Sequence, residues 1–219
     1  MKHSFQSLRR TGFTLIEIIT VIAAVAILAG ISLPVIKQTI RYRELNVTRS
    51  EVDQIRTALE NYHGRYSAYP PSNPGSPALN PLYYELTGVT NQAGSFRTLD
   101  SASAVPATNY TRIFNVNGVV NCSKSGAAAE SGRPQNFLLA LKSNRIGTYN
   151  SFNILVTSIT SSDPGQLTVL EGQGYSGIPV CYVCPGVNNP GAYDLWVDIV
   201  FGGRTYRIAN WGQPIQILN

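Results

Sequence analysis

Histidine is scarce in this chain, with only His3 and His63 among 219 residues. A Ser-His-Asp or Cys-His catalytic arrangement would have to use one of them, because histidine is the base in both. His63 is followed directly by Gly64, a residue typical of helix ends, which favours a capping or surface role for the imidazole. The sequence therefore predicts no catalytic residues and a protein that is not an enzyme.

Cysteine is also rare, with three residues at Cys122, Cys181 and Cys184. The last two have the Cys-x-x-Cys spacing of zinc and redox sites, but a fourth ligand is missing nearby in the sequence. The sequence accordingly predicts no metal site. In an exported domain one disulfide and one leftover thiol are expected. The sequence leaves open whether Cys181 pairs with Cys184, or Cys122 with either of them.

After residue 12 the chain has only a small excess of positive charge. The whole sequence has 17 Lys plus Arg against 12 Asp plus Glu, but Lys2, Arg9 and Arg10 all precede residue 13. Without these three, 14 basic residues face 12 acidic ones. The apparent basicity therefore belongs to an N-terminal signal, and no nucleic-acid partner is expected.

What the chain does have is one long apolar run, in which Glu17 is the only ionisable side chain between Phe13 and Ile36. As a helix, a run of this length crosses a hydrocarbon core of ~30 Å. A carboxylate inside such a span costs roughly 2.5 to 3.5 kcal/mol, so the presence of Glu17 indicates a functional role for its charge. Cleavage between Gly12 and Phe13 would leave a cationic amine four residues before the carboxylate. That amine is suited to pair with Glu17 of a neighbouring copy.

Residues 12–17 read Gly-Phe-Thr-Leu-Ile-Glu after a short basic leader. This pattern resembles the class III signal of type IV pilins and of the pseudopilins of type II secretion systems. The resemblance implies that a prepilin peptidase cuts after Gly12 and that the new N-terminal residue, Phe13, is N-methylated. It also assigns Phe13 and Glu17 to filament assembly and a helix kink to Pro34.

The basic leader also sets the orientation of the predicted span. Lys and Arg before an apolar helix keep that end in the cytoplasm. The expected location is therefore the bacterial inner membrane, crossed once, with the C-terminal domain in the periplasm.

Two simpler interpretations use the same residues. Residues 24–26 read Ala-Val-Ala, the small-x-small form of a signal peptidase site, which would make residues 1–26 an ordinary secretory signal. Alternatively, the run is a plain anchor for an unrelated outer domain, with Glu17 facing water. An acidic residue early in the apolar core is unusual for a secretory signal, and the cost of a carboxylate in a span argues against the plain anchor.

Beyond residue 36 the helix is predicted to continue and to become amphipathic. Its apolar residues recur at spacings of three and four: Val52, Ile55, Leu59 and Tyr62. Gly64 and the prolines that follow are expected to end it. The predicted organisation is a leader over 1–12, a helix over 13–64 that spans the membrane to about residue 36, and a globular domain over 65–219.

The globular domain is predicted to be α+β. A short helix is expected over 82–86, stopped by Gly88, with a strand over 111–116 and a helix over 135–142. Five runs rich in β-branched and aromatic residues predict an antiparallel sheet: 152–159, 166–170, 178–184, 193–200 and 204–210. In the fourth run apolar and polar residues alternate, which predicts an apolar face packed on the long helix. The N-terminal resemblance implies the type IV pilin-like version of this fold.

The end of the chain is similar to the G-type major pseudopilin. It has Pro185-Gly186, then Tyr-Asp-Leu-Trp at 193–196, then Asn210-Trp211. That type binds calcium in a loop between the last two elements. The corresponding residues here, 197–207, contain one carboxylate, Asp198, whereas calcium takes six to eight oxygen ligands. No cofactor is therefore expected, and Gly202-Gly203 is predicted to form a hairpin turn.

The resemblance implies a structural subunit of a type II secretion pseudopilus, a filament that helps push folded proteins across the outer membrane. The implied partners are further copies of the chain, other pseudopilins, the prepilin peptidase, the inner-membrane assembly platform with its secretion ATPase, and membrane lipid. A major or minor pilin of a type IV pilus is the nearest alternative. A membrane-tethered binding domain or enzyme is a further one.

Overall fold

A computed structural model describes residues 12–73, 75–101, 103–123, 133–161, 163, 166 and 177–218, with the backbone alone described at 31–35 and 37. The chain divides into two units, Met1–Arg43 and Glu44–Asn219. The first unit holds the first part of the long helix. The second holds the rest of that helix and every other element.

Helix α1 spans Leu15–Tyr66, close to the predicted 13–64. Its backbone stays helical through Pro34, whose side chain is outside the described residues, so the kink there stays a prediction. The expected stop at Gly64 is wrong. The helix ends two residues later, where Ser67 takes a left-handed φ of 53° and donates its N–H to the carbonyl oxygen of His63 at 2.8 Å. Gly64 does not take the positive φ of a helix-ending glycine, and the hydroxyl of Tyr66, in the last turn, donates to Asn121 Oδ1 at 2.7 Å.

Among the helices formed by described residues, none is long and apolar enough to cross a membrane. The predicted span includes positions 31–35, whose side chains lie outside that description.

Helix α2, Leu82–Thr87, forms as predicted, and all six of its residues are buried. It ends at Gly88, which donates its N–H to the Tyr84 carbonyl at 3.0 Å. Glycine is required here for two reasons. Its φ is 74°, and a Cβ would lie 2.9 Å from the carbonyl oxygen of Gln135.

The next segment contains elements that the sequence did not predict. Strands β1 (Val89–Gln92), β2 (Ser95–Thr98) and β3 (Ala104–Pro106) form a three-stranded antiparallel sheet in that order.

The predicted strand over 111–116 is wrong, because helix α3 spans Ala107–Phe114. Its two buried aromatic residues, Tyr110 and Phe114, are four positions apart and share one helix face, with ring centroids 4.9 Å apart. The β-branched residues of the segment favour a strand, whereas the four-residue spacing of its buried aromatic residues is typical of a helix.

The predicted helix over 135–142 is also wrong. Its backbone donors are engaged elsewhere: Gln135 N–H donates to Asn121 Oδ1 at 2.9 Å, and Phe137 N–H donates to the Leu86 carbonyl at 2.7 Å. The Gln135 carbonyl, which would accept the first bond of the helical ladder, accepts instead from Asn121 Nδ2 at 2.6 Å. Leu141 N–H donates to the Leu138 carbonyl, three residues back, as in a turn. The segment instead turns at 139–140 and leads into a short 3₁₀ helix, Ser143–Arg145.

The remaining strands form two antiparallel sheets. Strands β4 (Ile146–Tyr149) and β5 (Phe152–Leu155) make a hairpin. A four-stranded sheet follows in the order β6 (Cys181–Val183), β7 (Asp194–Phe201), β8 (Arg204–Ala209) and β9 (Gln216–Leu218).

Four of the five predicted strands are confirmed: β5, β6 and β8 are shorter than predicted, and β7 is shifted by one residue. Most of the remaining predicted strand, 166–170, lies outside the described residues. Strands β4 and β9 were not predicted. The predicted turn between β7 and β8 is confirmed, with Gly202 and Gly203 both at positive φ.

Within the second unit the long helix packs on the antiparallel sheets, as predicted. Its apolar stripe is fully buried at the predicted positions Val52, Ile55, Leu59 and Tyr62. The β7 residues Leu195, Val197 and Ile199 are buried in the same core, whereas Trp196 and Asp198 are half-buried on the other face. The alternation fails at the two ends of the strand, where Asp194 is buried although polar and Val200 is buried on the otherwise half-buried face.

The half-buried face of the sheet carries one well-formed ion pair. Arg207 donates two parallel bonds of 2.7 Å to the carboxylate of Asp198, its partner across the strands, and its guanidinium lies 5.6 Å from the ring centre of Trp196. The fork geometry and the aromatic contact both require arginine.

We expect Arg207→Lys to lower the free energy of unfolding by about 0.5 to 1 kcal/mol, because lysine keeps the charge but loses the fork and the ring contact. Urea unfolding followed by tryptophan fluorescence measures the change. Arg204→Lys, at an exposed position of the same strand, is the control and should change nothing measurable. An equal loss in both variants would contradict the role of the paired geometry.

Candidate assembly site at the start of the long helix

The first turn of α1 is closed by a reciprocal cap between Thr14 and Glu17. The backbone N–H and the hydroxyl of Thr14 each donate to Glu17 Oε2 at 2.7 Å, and Glu17 N–H donates back to Thr14 Oγ1 at 3.4 Å. This is the capping box, in which a Thr and a Glu three positions later satisfy each other's free donors. The predicted assembly carboxylate is therefore also a helix cap.

Thr14 is a site residue that the sequence interpretation missed. The signal was present, because Thr-x-x-Glu before an apolar run is the sequence signature of a capping box.

The helix surface that follows the cap is apolar on every side. Phe13 is 84% exposed and Leu15 80%. Exposure of large apolar side chains continues along the first part of the helix: Ile16, Ile18, Ile19, Val21, Ile22, Val25, Ile27 and Leu28. At 100° per residue these positions point in all directions around the axis, which is the pattern of a helix that is covered by lipid or by other helices.

The predicted cleavage point lies just before this surface. Gly12 and Phe13 are both exposed and precede the first helical residue, so their peptide bond is not held in the helical ladder. The basic residues Arg9 and Arg10 fall outside the described residues. The proposed cut, the new N-terminal residue and Glu17 all lie within residues 12–17 of the sequence.

The three cysteines are free thiols in the structure. Burial raises the pKa of Cys181 to about 12, and burial also raises the pKa of the half-buried Cys122 and Cys184. Thiols with a raised pKa are poor nucleophiles, because only the thiolate reacts. The disulfide pairing stays a prediction.

Within the part of the chain that the structure describes, no three His, Cys, Asp or Glu side chains come together as metal ligands. Asp198, the one carboxylate in the loop compared with the calcium-binding type, is engaged by Arg207. His63 is exposed and stacks on Tyr69 with ring centroids 4.4 Å apart, consistent with the predicted surface position.

Three carboxylates are buried among the described residues: Glu51, Glu85 and Asp194. Asp194 and Glu85 each accept several hydrogen bonds within the second unit, and the sequence indicated neither. Asp194 accepts bonds of 2.8 to 3.2 Å from the backbone of Val187, Asn188 and Asn189 and from both asparagine side chains. These bonds fix the 186–190 loop against the start of β7. They also explain why Gly186 cannot carry a side chain, since a Cβ there would meet Asp194 Oδ1 at 2.6 Å.

The second buried carboxylate, Glu85 on α2, is fully enclosed. It accepts bonds from the Tyr62 hydroxyl at 2.9 Å, from Val120 N–H at 2.9 Å and from Asn121 N–H at 3.1 Å. Burial raises the pKa of Glu85 to about 7, against the lowering effect of the three donors. Glu85 therefore links the end of α1, helix α2 and the 119–121 loop.

No protein-family model matches this chain, and no curated protein and no solved structure is similar enough to count as a match.

Proposed function

We propose that this chain is a type IV pilin-like subunit of a type II secretion pseudopilus, anchored in the bacterial inner membrane with its C-terminal domain in the periplasm. One observation carries the proposal. An exposed Gly12-Phe13 bond is followed within five residues by a capped Glu17, and then by a helix surface that is apolar all round. An isolated domain has no use for such a surface, whereas a membrane or a bundle of identical helices covers it.

In this proposal the prepilin peptidase cuts the peptide bond after Gly12, and the new amine of Phe13 is methylated. The subunit then waits in the membrane with Glu17 near its cytoplasmic end. On entering the filament, the Phe13 amine of one copy pairs with the Glu17 carboxylate of its neighbour, which compensates both charges in an apolar setting. The pair thereby fixes the axial position of each subunit. The secretion ATPase and the inner-membrane platform would drive the assembly.

Other copies, other pseudopilins and membrane lipid are the proposed partners. A major or minor subunit of a type IV pilus would use the same cleavage and the same charge pair. A membrane-tethered binding domain or enzyme would use the apolar helix only as an anchor and would retain no need for the Glu17 charge.

Mass spectrometry of the N-terminus tests the proposal. Protein purified from membranes of cells that contain a prepilin peptidase should begin at Phe13 and carry one added methyl group on its amine. Gly12→Leu should abolish the cut and leave Met1 as the first residue. An N-terminus at Ile27, as expected after signal peptidase cleavage at 24–26, would overturn the filament function.

A further inference from the structure

A short cationic and aromatic segment follows the apolar surface of α1. Ile36 and Ile40 are each about half exposed, and the next three residues are Arg41, Tyr42 and Arg43. Arg43 and Tyr42 are exposed, Arg41 is half-buried, and its guanidinium lies 5.7 Å from the ring centre of Tyr42. Between Ile36 and Ile40 the sequence has Lys37, Gln38 and Thr39, so the change from an apolar to a cationic and aromatic stretch falls over residues 37–43.

The two arginines lie on opposite sides of the helix. At 100° per residue, Arg41 and Arg43 are 200° apart, with Tyr42 between them. A protein partner that contacts one side of the helix would contact one arginine. The headgroup region of a membrane surrounds a helix and can contact both.

The distance from the proposed N-terminus fits such a layer. Arg41 follows Phe13 by 28 positions, which is ~42 Å along a straight helix. A bilayer with its headgroup regions measures about 40 to 45 Å. With Phe13 at one headgroup layer, the 41–43 segment lies in the other. Tyrosine and arginine are both residues that favour this layer, and the arginine fork matches the oxygens of a phosphate.

We infer that Arg41 and Arg43, with Tyr42 between them, bind the phosphates of anionic phospholipid headgroups and hold the subunit at a fixed depth before assembly. The inference rests on the proposed function, since it requires the first part of α1 to cross a membrane. The local charge supports an anionic partner: residues 37–49 contain Lys37, Arg41, Arg43 and Arg49 but one acidic residue, Glu44. Near an anionic surface each arginine should raise the affinity about fivefold.

Spin-labelled lipids test this inference with the full mature chain in phosphatidylcholine bilayers. Electron paramagnetic resonance gives the association of spin-labelled phosphatidylglycerol relative to spin-labelled phosphatidylcholine. The wild type should prefer phosphatidylglycerol by about fivefold or more. In the variant Arg41→Gln/Arg43→Gln, and in the wild type at 1 M salt, the preference should fall to near equality. The control Arg97→Gln/Arg112→Gln removes the same charge from exposed positions of the second unit and should keep the preference.

The other outcomes overturn the inference. If the wild type resists extraction by alkaline carbonate but shows no lipid preference, the inference fails and the proposed function stands. If alkaline carbonate extracts the wild type, both fail. If Arg41→Gln/Arg43→Gln keeps the lipid preference but loses self-association in detergent, the arginines bind another copy of the chain instead of lipid.

Discussion

Replacing Glu17 by glutamine is expected to lower the incorporation of the subunit into filaments by at least about tenfold. Tenfold corresponds to ~1.4 kcal/mol, less than the roughly 2.5 to 3.5 kcal/mol that an unpaired carboxylate costs in an apolar span. The charge pair with a neighbour's Phe13 amine relieves that cost and so favours entry into the filament. Glutamine carries no charge, so a glutamine subunit gains much less free energy when it enters the filament. Sedimented filaments, quantified against total processed protein, give the ratio.

The structure makes this substitution more informative than removal of the whole side chain. Glutamine is accepted in the capping box, so Glu17→Gln keeps an oxygen that accepts from Thr14 N–H while it removes the charge. Thr14→Ala is the matched control, because it weakens the cap by about 1 kcal/mol and leaves the carboxylate in place. We expect cleavage after Gly12 in both variants. Normal incorporation of Glu17→Gln together with loss in Thr14→Ala would show that Glu17 acts as a cap and not as a charge.

Glu85→Ala is expected to lower the free energy of unfolding by about 3 kcal/mol at neutral pH. The alanine leaves the Tyr62 hydroxyl and the N–H groups of Val120 and Asn121 without their acceptor, and each buried unsatisfied donor costs about 1 to 3 kcal/mol. Removal of a buried carboxylate offsets part of this loss. Urea unfolding of the full chain in detergent measures the difference.

The stability of the wild type should also depend on pH through Glu85. The unfolded chain releases this proton near its ordinary pKa of 4.5, whereas the folded chain holds it to about pH 7. Between these values the folded state binds more protons, so the free energy of unfolding falls as pH rises. The total fall is up to about 3 kcal/mol, at about 1.4 kcal/mol per pH unit.

Glu85→Gln separates the titration from the packing. It should be less stable than the wild type, because one amide N–H faces a backbone donor, but its stability should change little between pH 4.5 and 7 through this site. Asp53→Asn, at an exposed carboxylate paired with Arg56, is the control and should keep the wild-type slope. An unchanged slope in Glu85→Gln would assign the pH dependence to another group.

Local patterns in the sequence predicted the parts of the fold that depend on periodicity. The apolar spacing from Val52 to Tyr62 gave the buried stripe of the long helix, and the alternation in β7 gave the face that packs on it. Gly88 and the Gly202-Gly203 pair gave a helix end and a hairpin turn, because both need positive φ angles. These features are encoded within a few neighbouring residues.

The errors occurred where distant residues decide the local structure. The 135–142 segment has a helical composition, but its Gln135 carbonyl accepts from the Asn121 side chain, and Phe137 N–H donates to the Leu86 carbonyl. The 111–116 segment has a strand composition, but Tyr84 and Phe152 form the aromatic surroundings that bury a helical Tyr110 and Phe114. Neither set of partners is close in sequence, so no short window contains the information.

The sequence by itself determined the N-terminal pattern on which the proposed function rests: the Gly12-Phe13 junction, Glu17 and the long apolar helix. It did so because an apolar run with a single charge is conspicuous in one dimension. Only the tertiary structure decided that Asp194 and Glu85 are buried, since a carboxylate enters a core when donors from remote segments converge on it. The structure also showed that Arg43 is exposed, that Arg41 is half-buried and that the Arg41 guanidinium lies 5.7 Å from the Tyr42 ring centre, because these properties depend on side-chain positions in space.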